Sequence, residues 1–224
     1  MPIFGKGRRI SGGKRELLGK EVRIINRRRY FDPQPEKPIY EHEYTQLLKI
    51  KRTFRKLFPK KLFFWKGTDF ITERFQNTGQ KQVVLDWGCG AGIATEQLGL
   101  EYKGVADVYG FSKDSYPEWE NHKNATFILG IGSHMERYLK RLPKIDLVMS
   151  HYGLGHLLGT REETWHFGLL FERLLVGGKI VFNLHNPDDA KELSRNFIRE
   201  KIADGTMAVD YDKAKKTVYM TKLK

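Results

Sequence analysis

The chain has 224 residues, 40% of them apolar and 30% charged, with a net charge of +13 and a single cysteine, Cys89. Those proportions describe a globular chain long enough to bury a core, and they exclude an internal disulfide, a zinc ribbon and an iron–sulfur centre. No stretch approaches the ~18 successive apolar residues of a membrane span, the N-terminal residues lack the apolar run of a secretory leader, and a lone cysteine fits a cytoplasmic setting.

The charge is concentrated at one end. Residues 1–62 hold 18 Lys and Arg against 6 Asp and Glu, whereas residues 63–224 hold 22 against 21. A local positive field attracts polyanions and speeds their encounter. Residues 1–38 are therefore expected to form a basic, extended arm that engages nucleic acid, RNA before DNA. A solubilising tail, a membrane-surface contact and an arm packed on its own domain are the alternatives.

Within the arm only Glu21–Ile25 is strand-like. Arg27, Arg28 and Arg29 then stand beside Tyr30 and Phe31. Guanidinium forks suit phosphates and aromatic rings stack on bases, although the two rings would equally well pin a loop to the domain. Asp32-Pro33-Gln34-Pro35 reads as a linker. In residues 39–58, Tyr40, Tyr44, Leu47, Leu48, Ile50, Phe54, Leu57 and Phe58 recur mostly at spacings of three and four, which predicts an amphipathic helix. Its other positions carry Lys49, Lys51, Arg52, Arg55 and Lys56, and Lys51 and Arg55 join the candidate nucleic-acid surface. Pro59 ends it, and a second helix is expected over 66–77 with Phe70, Ile71 and Phe75 inward.

From residue 82 short apolar runs alternate with helical stretches. The runs are Gln82–Leu85, Asp107–Phe111, Ala125–Leu129, Ile145–Met149 and Lys179–Leu184. This rhythm predicts a doubly wound α/β domain over 39–224, its sheet mostly parallel with helices on both faces. Met207–Tyr211 and Thr217–Met220 break the rhythm and predict a C-terminal antiparallel hairpin.

The most informative string is Val83-Val84-Leu85-Asp86-Trp87-Gly88-Cys89-Gly90-Ala91-Gly92. An apolar strand ends in a carboxylate, followed by glycines at alternate positions. Glycine lets the chain turn sharply from strand into helix and lets backbone lie against a ligand. The dinucleotide fingerprint is G-x-G-x-x-G, which brings a pyrophosphate to a helix N-terminus. Here the spacing is G-x-G-x-G, and a preceding carboxylate suits a cationic ligand better than a pyrophosphate.

On this string and four later landmarks, residues 82–184 resemble a class I S-adenosylmethionine-dependent methyltransferase with a Rossmann-like sheet. The landmarks are Asp107–Asp114, Phe127–Gly132, Ile145–His156 and Leu174–Phe182. The resemblance implies S-adenosylmethionine as cofactor. Asp86 would face its amino group, and Gly88, Gly90 and Gly92 would shape the wall beside methionine and ribose, with Trp87 at the same loop. Ile131 and Gly132 would lie by the adenine, and Ser150 by the sulfonium. Ser112 stands where the family places the acid that grips the ribose; Asp114, or Asp107 in another register, is the substitute. Ile131 replaces the usual acid of the third loop.

For the chemistry, His151, Tyr152 and His156 are the catalytic candidates, with His185 in reserve; a histidine near the mouth has the pKa of a general base. No metal is expected. Ser150-His151-Tyr152-Gly153 departs from the loop of amino-methylating enzymes on bases. Positions matching the Lys-Asp-Lys-Glu tetrad of ribose methylation read Lys66, His151, Asn183 and a residue near Thr217, so only the first is kept. Cys89 lies too early for base C5 methylation and reads as a small buried filler. The expected function is thus methyl transfer from S-adenosylmethionine, to RNA or another nucleic acid. The alternatives are transfer to a small molecule or a protein, and a weakened methyltransferase fold that only binds nucleic acid.

Overall fold

Along Gln82–Trp87 the side chains alternate between two apolar layers, and both layers are filled. Val83, Leu85 and Trp87 enter one cluster, with Ile128, Leu139, Val148, Phe167 and Phe182; Val84 enters the other, with Leu98, Phe127, Leu147 and Val181. A strand covered on both faces needs a near-continuous apolar run. The computed structural model describes residues 64–65, 68–130, 135–151, 153–160, 162–184, 186–214 and 216–224. The arm of residues 1–38 and the helix expected over 39–58 lie outside them. So do Arg27, Arg28, Arg29, Lys51, Arg55, Lys66, Ile131, Gly132, Tyr152 and His185.

In chain order the described elements are β1 (Phe64–Trp65), β2 (Thr68–Asp69), α1 (Phe70–Thr78), β3 (Gln82–Trp87), α2 (Ile93–Glu101), β4 (Ala106–Ser112) and β5 (Thr126–Leu129). Then follow α3 (Met135–Arg141), β6 (Ile145–Ser150), α4 (Glu163–Arg173), β7 (Leu174–Asn183), α5 (Asn196–Ala203), β8 (Met207–Asp212) and β9 (Thr217–Lys222). Seven strands form one sheet in the order β5-β4-β3-β6-β7-β9-β8. Strands β3 to β7 pair in parallel, and β9 and β8 join them antiparallel. Helices α1 and α2 pack into the layer of Val84, and α3, α4 and α5 into the layer of Leu85. The expected doubly wound sheet with a C-terminal hairpin is the architecture found.

Two boundaries differ from expectation. The helix expected over 66–77 begins only at Phe70, because Thr68–Asp69 pairs with Phe64–Trp65 as a small antiparallel ladder. β-Branched Thr68 favours a strand and Gly67 is a poor helix residue. The fifth run starts earlier than Lys179. Helix α4 ends at Arg173 and the chain pairs at once, Leu174 with Ile145, before a shifted register resumes at Lys179 and Leu147. Gly177, at φ +75°, lies within that irregularity.

At the starting ends of β3 and β6, far from the loops that follow them, sits a buried polar knot. Arg74 pairs with Asp146 at 3.0 Å, and Asp146 also accepts the Val83 N–H at 2.8 Å. Lys179 is 5% exposed, its Nζ 5.1 Å from the centroid of the Phe70 ring. Burial, and then the Arg74 charge, bring its ammonium down to about 8. A lysine whose folded pKa lies below its ordinary 10.5 costs stability below about 8, a cost that fades as the pH climbs to 10.5. Lys179→Met should therefore stabilise the fold by about 1–3 kcal/mol at pH 7. The gain should shrink in melting curves taken at rising pH. A Met variant less stable than the parent at pH 7 would show that the ammonium has a structural task.

Candidate cofactor and acceptor site

The sheet order reverses direction at β3. From there β4 and β5 lie to one side and β6 and β7 to the other. Such a switch point opens a crevice at the strands' C-terminal ends, the usual ligand position in open α/β sheets. Here the segments that follow the two central strands are the Asp86–Gly92 loop after β3 and, after β6, His151 and residues 153–160.

The first segment is built from backbone. Gly88 N–H and Cys89 N–H both donate to Phe111 O, at 2.8 and 3.0 Å, folding the loop back over the end of β4. Gly88, Gly90 and Gly92 all have positive φ, at +78°, +53° and +75°. Gly92 caps α2, and a Cβ there would stand 2.1 Å from Phe127 Cε1. A Cβ on Gly90 would meet nothing within 4 Å. The loop's carbonyls are held from the β4–β5 connection. Trp119 Nε1 donates to Gly90 O at 2.8 Å, and His122 Nε2 to Ala91 O at 2.9 Å. Trp119 stacks on Phe127 with centroids 5.2 Å apart. Nothing in the hydrophobic periodicity pointed to Trp119 or His122, because the connection is a short 3₁₀ turn, Pro117–Asn121.

Asp86 lies beneath this loop, 3% exposed, and accepts the Thr95 hydroxyl at 2.6 Å. Burial outweighs that hydrogen bond and raises its carboxyl to about 6. At neutral pH the loop therefore covers an ionised carboxylate whose charge is poorly solvated, a setting that favours a cation. Burial, followed by the Asp86 charge, pushes the Cys89 thiol well above its ordinary value, which agrees with a filler rather than a nucleophile. Trp87 turns its ring to the opposite layer, 6% exposed and stacked on Phe111 at 4.5 Å, so its side chain is part of the packing under the loop.

Ser150 ties the two segments together. Fully buried, it donates to Trp87 O at 2.7 Å and accepts the Leu154 N–H at 3.0 Å. Gly153 fits against it: a Cβ there would stand 2.8 Å from Ser150 Oγ and 3.1 Å from Trp87 O. Ser150 thus sets the spacing of the crevice from below. Ser150→Ala would leave two buried backbone groups without their partner and should cost about 1–3 kcal/mol. Urea denaturation would read this as a lower midpoint with unchanged slope. A parent-like midpoint would mean the segments hold their spacing without the hydroxyl. The far end of residues 151–162 is fixed by Glu163, also fully buried, which accepts the Gly159 N–H at 2.7 Å. His151 is half-buried directly after β6, and His156 is exposed on the 3₁₀ turn Gly155–Leu157.

Ser112 ends β4 with its hydroxyl in the following turn, accepting the Asp114 N–H at 3.2 Å and bonding Tyr116. Burial, and then the Asp114 charge, push the Tyr116 phenol up to about 12. Asp114 is half-buried two residues beyond the strand. Asn183 and Thr217 are register partners, hydrogen-bonded at 3.0 Å, and neither carries a charge. Among the described residues no group of three or more His, Cys, Asp or Glu is arranged to hold a metal ion, and no helix is long and apolar enough to cross a membrane.

No family model matches the sequence, and none of the curated proteins matches it. Solved structures do match. The plantazolicin methyltransferase BpumL, in complex with a pentazolic desmethylPZN analogue and SAH, aligns at TM-score 0.53 and 13% identity over 94% of this chain and 98% of that one. Its complex with the triazolic analogue and SAH aligns at TM-score 0.52 and 14% identity, with the same coverage. The fold is that of a class I S-adenosylmethionine-dependent methyltransferase. Fibrillarin in its complex with Nop5p is matched at TM-score 0.45 and 13% identity over 69% of this chain and 80% of that one. In this sheet β3 and its glycine loop hold the central position at the switch point, with β4 on one side and β6 on the other. Asp86, Gly88, Gly90, Gly92, Ser112, Asp114, Ser150 and His151 all gather at this one edge of the sheet.

Proposed function

We propose that the chain is an S-adenosylmethionine-dependent methyltransferase whose acceptor is RNA or another nucleic acid. The observation that carries the reading is the loop from Asp86 to Gly92. It sets open space at Gly90 over a buried carboxylate, a fit for a cofactor with an ammonium at one end. S-adenosylmethionine would supply an electrophilic methyl on a sulfonium. This chain's part is to bind and align. Asp86 holds the ammonium, Gly88 and Gly90 allow close backbone approach, and the Ser112 turn with Asp114 borders the ribose. Ser150 keeps the two loops at working distance. Alignment of nucleophile, methyl and leaving group supplies most of the acceleration in such a transfer. His151, half-buried directly after β6, would take a proton from the acceptor in this reading.

The nucleic-acid acceptor rests on the charge of residues 1–62. Isothermal titration with S-adenosylmethionine, followed by tritium-methyl transfer into RNA, DNA and protein fractions, tests both halves of the reading. Label in RNA is the expected result, and label confined to protein or to small molecules would replace the acceptor. Changing Arg27, Arg28 and Arg29 to Gln should weaken RNA binding and flatten its salt dependence by about 0.7–0.9 for each phosphate no longer neutralised. A second reading, a fold retained for binding alone, is favoured by one observation. Ser112, which the resemblance sets where an acid would grip the ribose, has its hydroxyl already engaged by the Asp114 N–H. Failure to titrate with either S-adenosylmethionine or SAH, with RNA binding intact, would move that reading ahead.

A further inference from the structure

The glycine loop is poorly fixed by its own backbone. Gly88, Gly90 and Gly92 lie at φ +78°, +53° and +75°, and glycine reaches other backbone angles about as readily as these. Two of the loop's peptide units are held from outside. The Gly90–Ala91 unit has its carbonyl on Trp119 Nε1 at 2.8 Å, and the Ala91–Gly92 unit has its carbonyl on His122 Nε2 at 2.9 Å. A planar peptide whose oxygen is held cannot turn over without breaking that bond.

Both donors belong to the connection between β4 and β5, and that connection is itself firmly seated. Trp119 is 2% exposed and stacks on Phe127, and the His122 ring lies 5.3 Å from the same phenyl group. Phe127 also fills the space that a Cβ on Gly92 would need. Further along, Glu96 in the first turn of α2 accepts the Lys123 N–H at 2.9 Å, the Asn124 N–H at 2.9 Å and the Asn124 side-chain amide at 2.6 Å. Helix α2 is the one that the glycine loop begins. The contacts therefore close on themselves, from the loop through α2, Glu96 and Asn124 to His122 and Trp119, and back to the loop. The space at Gly90 is left open by all of them.

We propose that Trp119 and His122 are positioning residues for S-adenosylmethionine, acting through the carbonyls of Gly90 and Ala91 to keep the loop in the one orientation that receives the cofactor. This role rests on the cofactor reading given above and adds the side chains that set its affinity. If a donor is lost, the free loop spreads over other orientations, and Kd rises by the inverse of the fraction still competent. One neutral hydrogen bond biases such an equilibrium by about 3- to 10-fold.

The test is titration calorimetry of SAH into the full chain and its variants, well below their melting temperatures, with circular dichroism to report the fold. Trp119→Phe keeps a ring against Phe127 and loses the N–H. His122→Met keeps bulk and loses the donor, whereas His122→Gln keeps an N–H at similar reach. Trp119→Phe and His122→Met should each weaken SAH binding by about 3- to 10-fold, and the double variant by about 10- to 100-fold. His122→Gln should bind close to the parent's affinity. A purely structural role would lower the melting temperature and leave the Kd of the folded protein unchanged. Should Trp119→Phe fail to fold, the two variants at half-buried His122 carry the test. A parent that does not bind SAH overturns the cofactor reading and this role with it. A parent that binds SAH, with parent-like affinity in the folded donor-less variants, overturns the positioning role alone. Equal losses in His122→Met and His122→Gln also overturn it, because the N–H would then not be what matters.

Discussion

Gly90→Leu is expected to abolish binding of S-adenosylmethionine and SAH while leaving a folded protein. The position is at φ +53°, and a Cβ there would meet no protein atom within 4 Å. A leucine would therefore point into the space assigned to the ligand without striking the core. Its cost to the fold is the left-handed backbone, about 1–2 kcal/mol. Gly92→Ala is the contrasting variant. Its Cβ would collide with Phe127, which is fully buried and stacked on Trp119, so the fold itself should suffer. The pair separates space reserved for a ligand from space already filled. Circular dichroism reports the fold and titration calorimetry the affinity. A folded Gly90→Leu protein that binds SAH as the parent does would remove the cofactor from this loop.

The second large effect is a pH dependence centred on Asp86. Its carboxyl titrates at about 6, mainly because it is buried, against an ordinary value of 3.8. Without ligand, the sign is that of a raised acid. The protonated form is favoured by folding, so the contribution to stability is full below 3.8 and is lost as the pH rises through 6. That is a change of about 3 kcal/mol for a shift of this size. With a cationic ligand the direction reverses, because only the ionised carboxylate attracts the ammonium. Affinity for S-adenosylmethionine should rise about tenfold between about pH 5 and pH 7. 5′-Methylthioadenosine, which lacks the ammonium, should show no such rise. Asp86→Asn should flatten the profile and hold affinity near the parent's acid-side level. A profile that persists in Asp86→Asn would assign the proton to another group.

The parts of this molecule that are legible in its sequence are those in which one segment determines its own environment. Val83–Leu85, Val108–Phe111 and Ile145–Met149 are apolar on both faces, which only a strand covered on both sides tolerates. The Asp86–Gly92 loop is legible because its glycines answer a local dihedral demand. What stays hidden depends on distant partners. The task of Ser150 is defined by Trp87 O, 63 residues away, and that of Trp119 by Gly90 O, 29 residues away. Glu163 looks like an ordinary acid in a first helical turn until its carboxylate is found closing onto Gly159. Strand β2 reads as helix in the sequence because a two-residue strand leaves too short a pattern to compete with the periodicity of Phe70, Ile71 and Phe75.

The order of the last two strands bears on how the molecule is made. β9 lies between β7 and β8, so the sheet is completed by the segment translated after its neighbours on both sides. Until the ribosome has passed Lys222, β7 presents a bare hydrogen-bonding edge and β8 has no strand beside it. The nascent chain can collapse around β3 to β7 early, but the sheet can close only once this final segment threads into place. Strands that arrive late and pair over long separations also make folding slow. Changes to Thr217–Lys222 should therefore lower the yield of folded protein in cells more than its stability once folded.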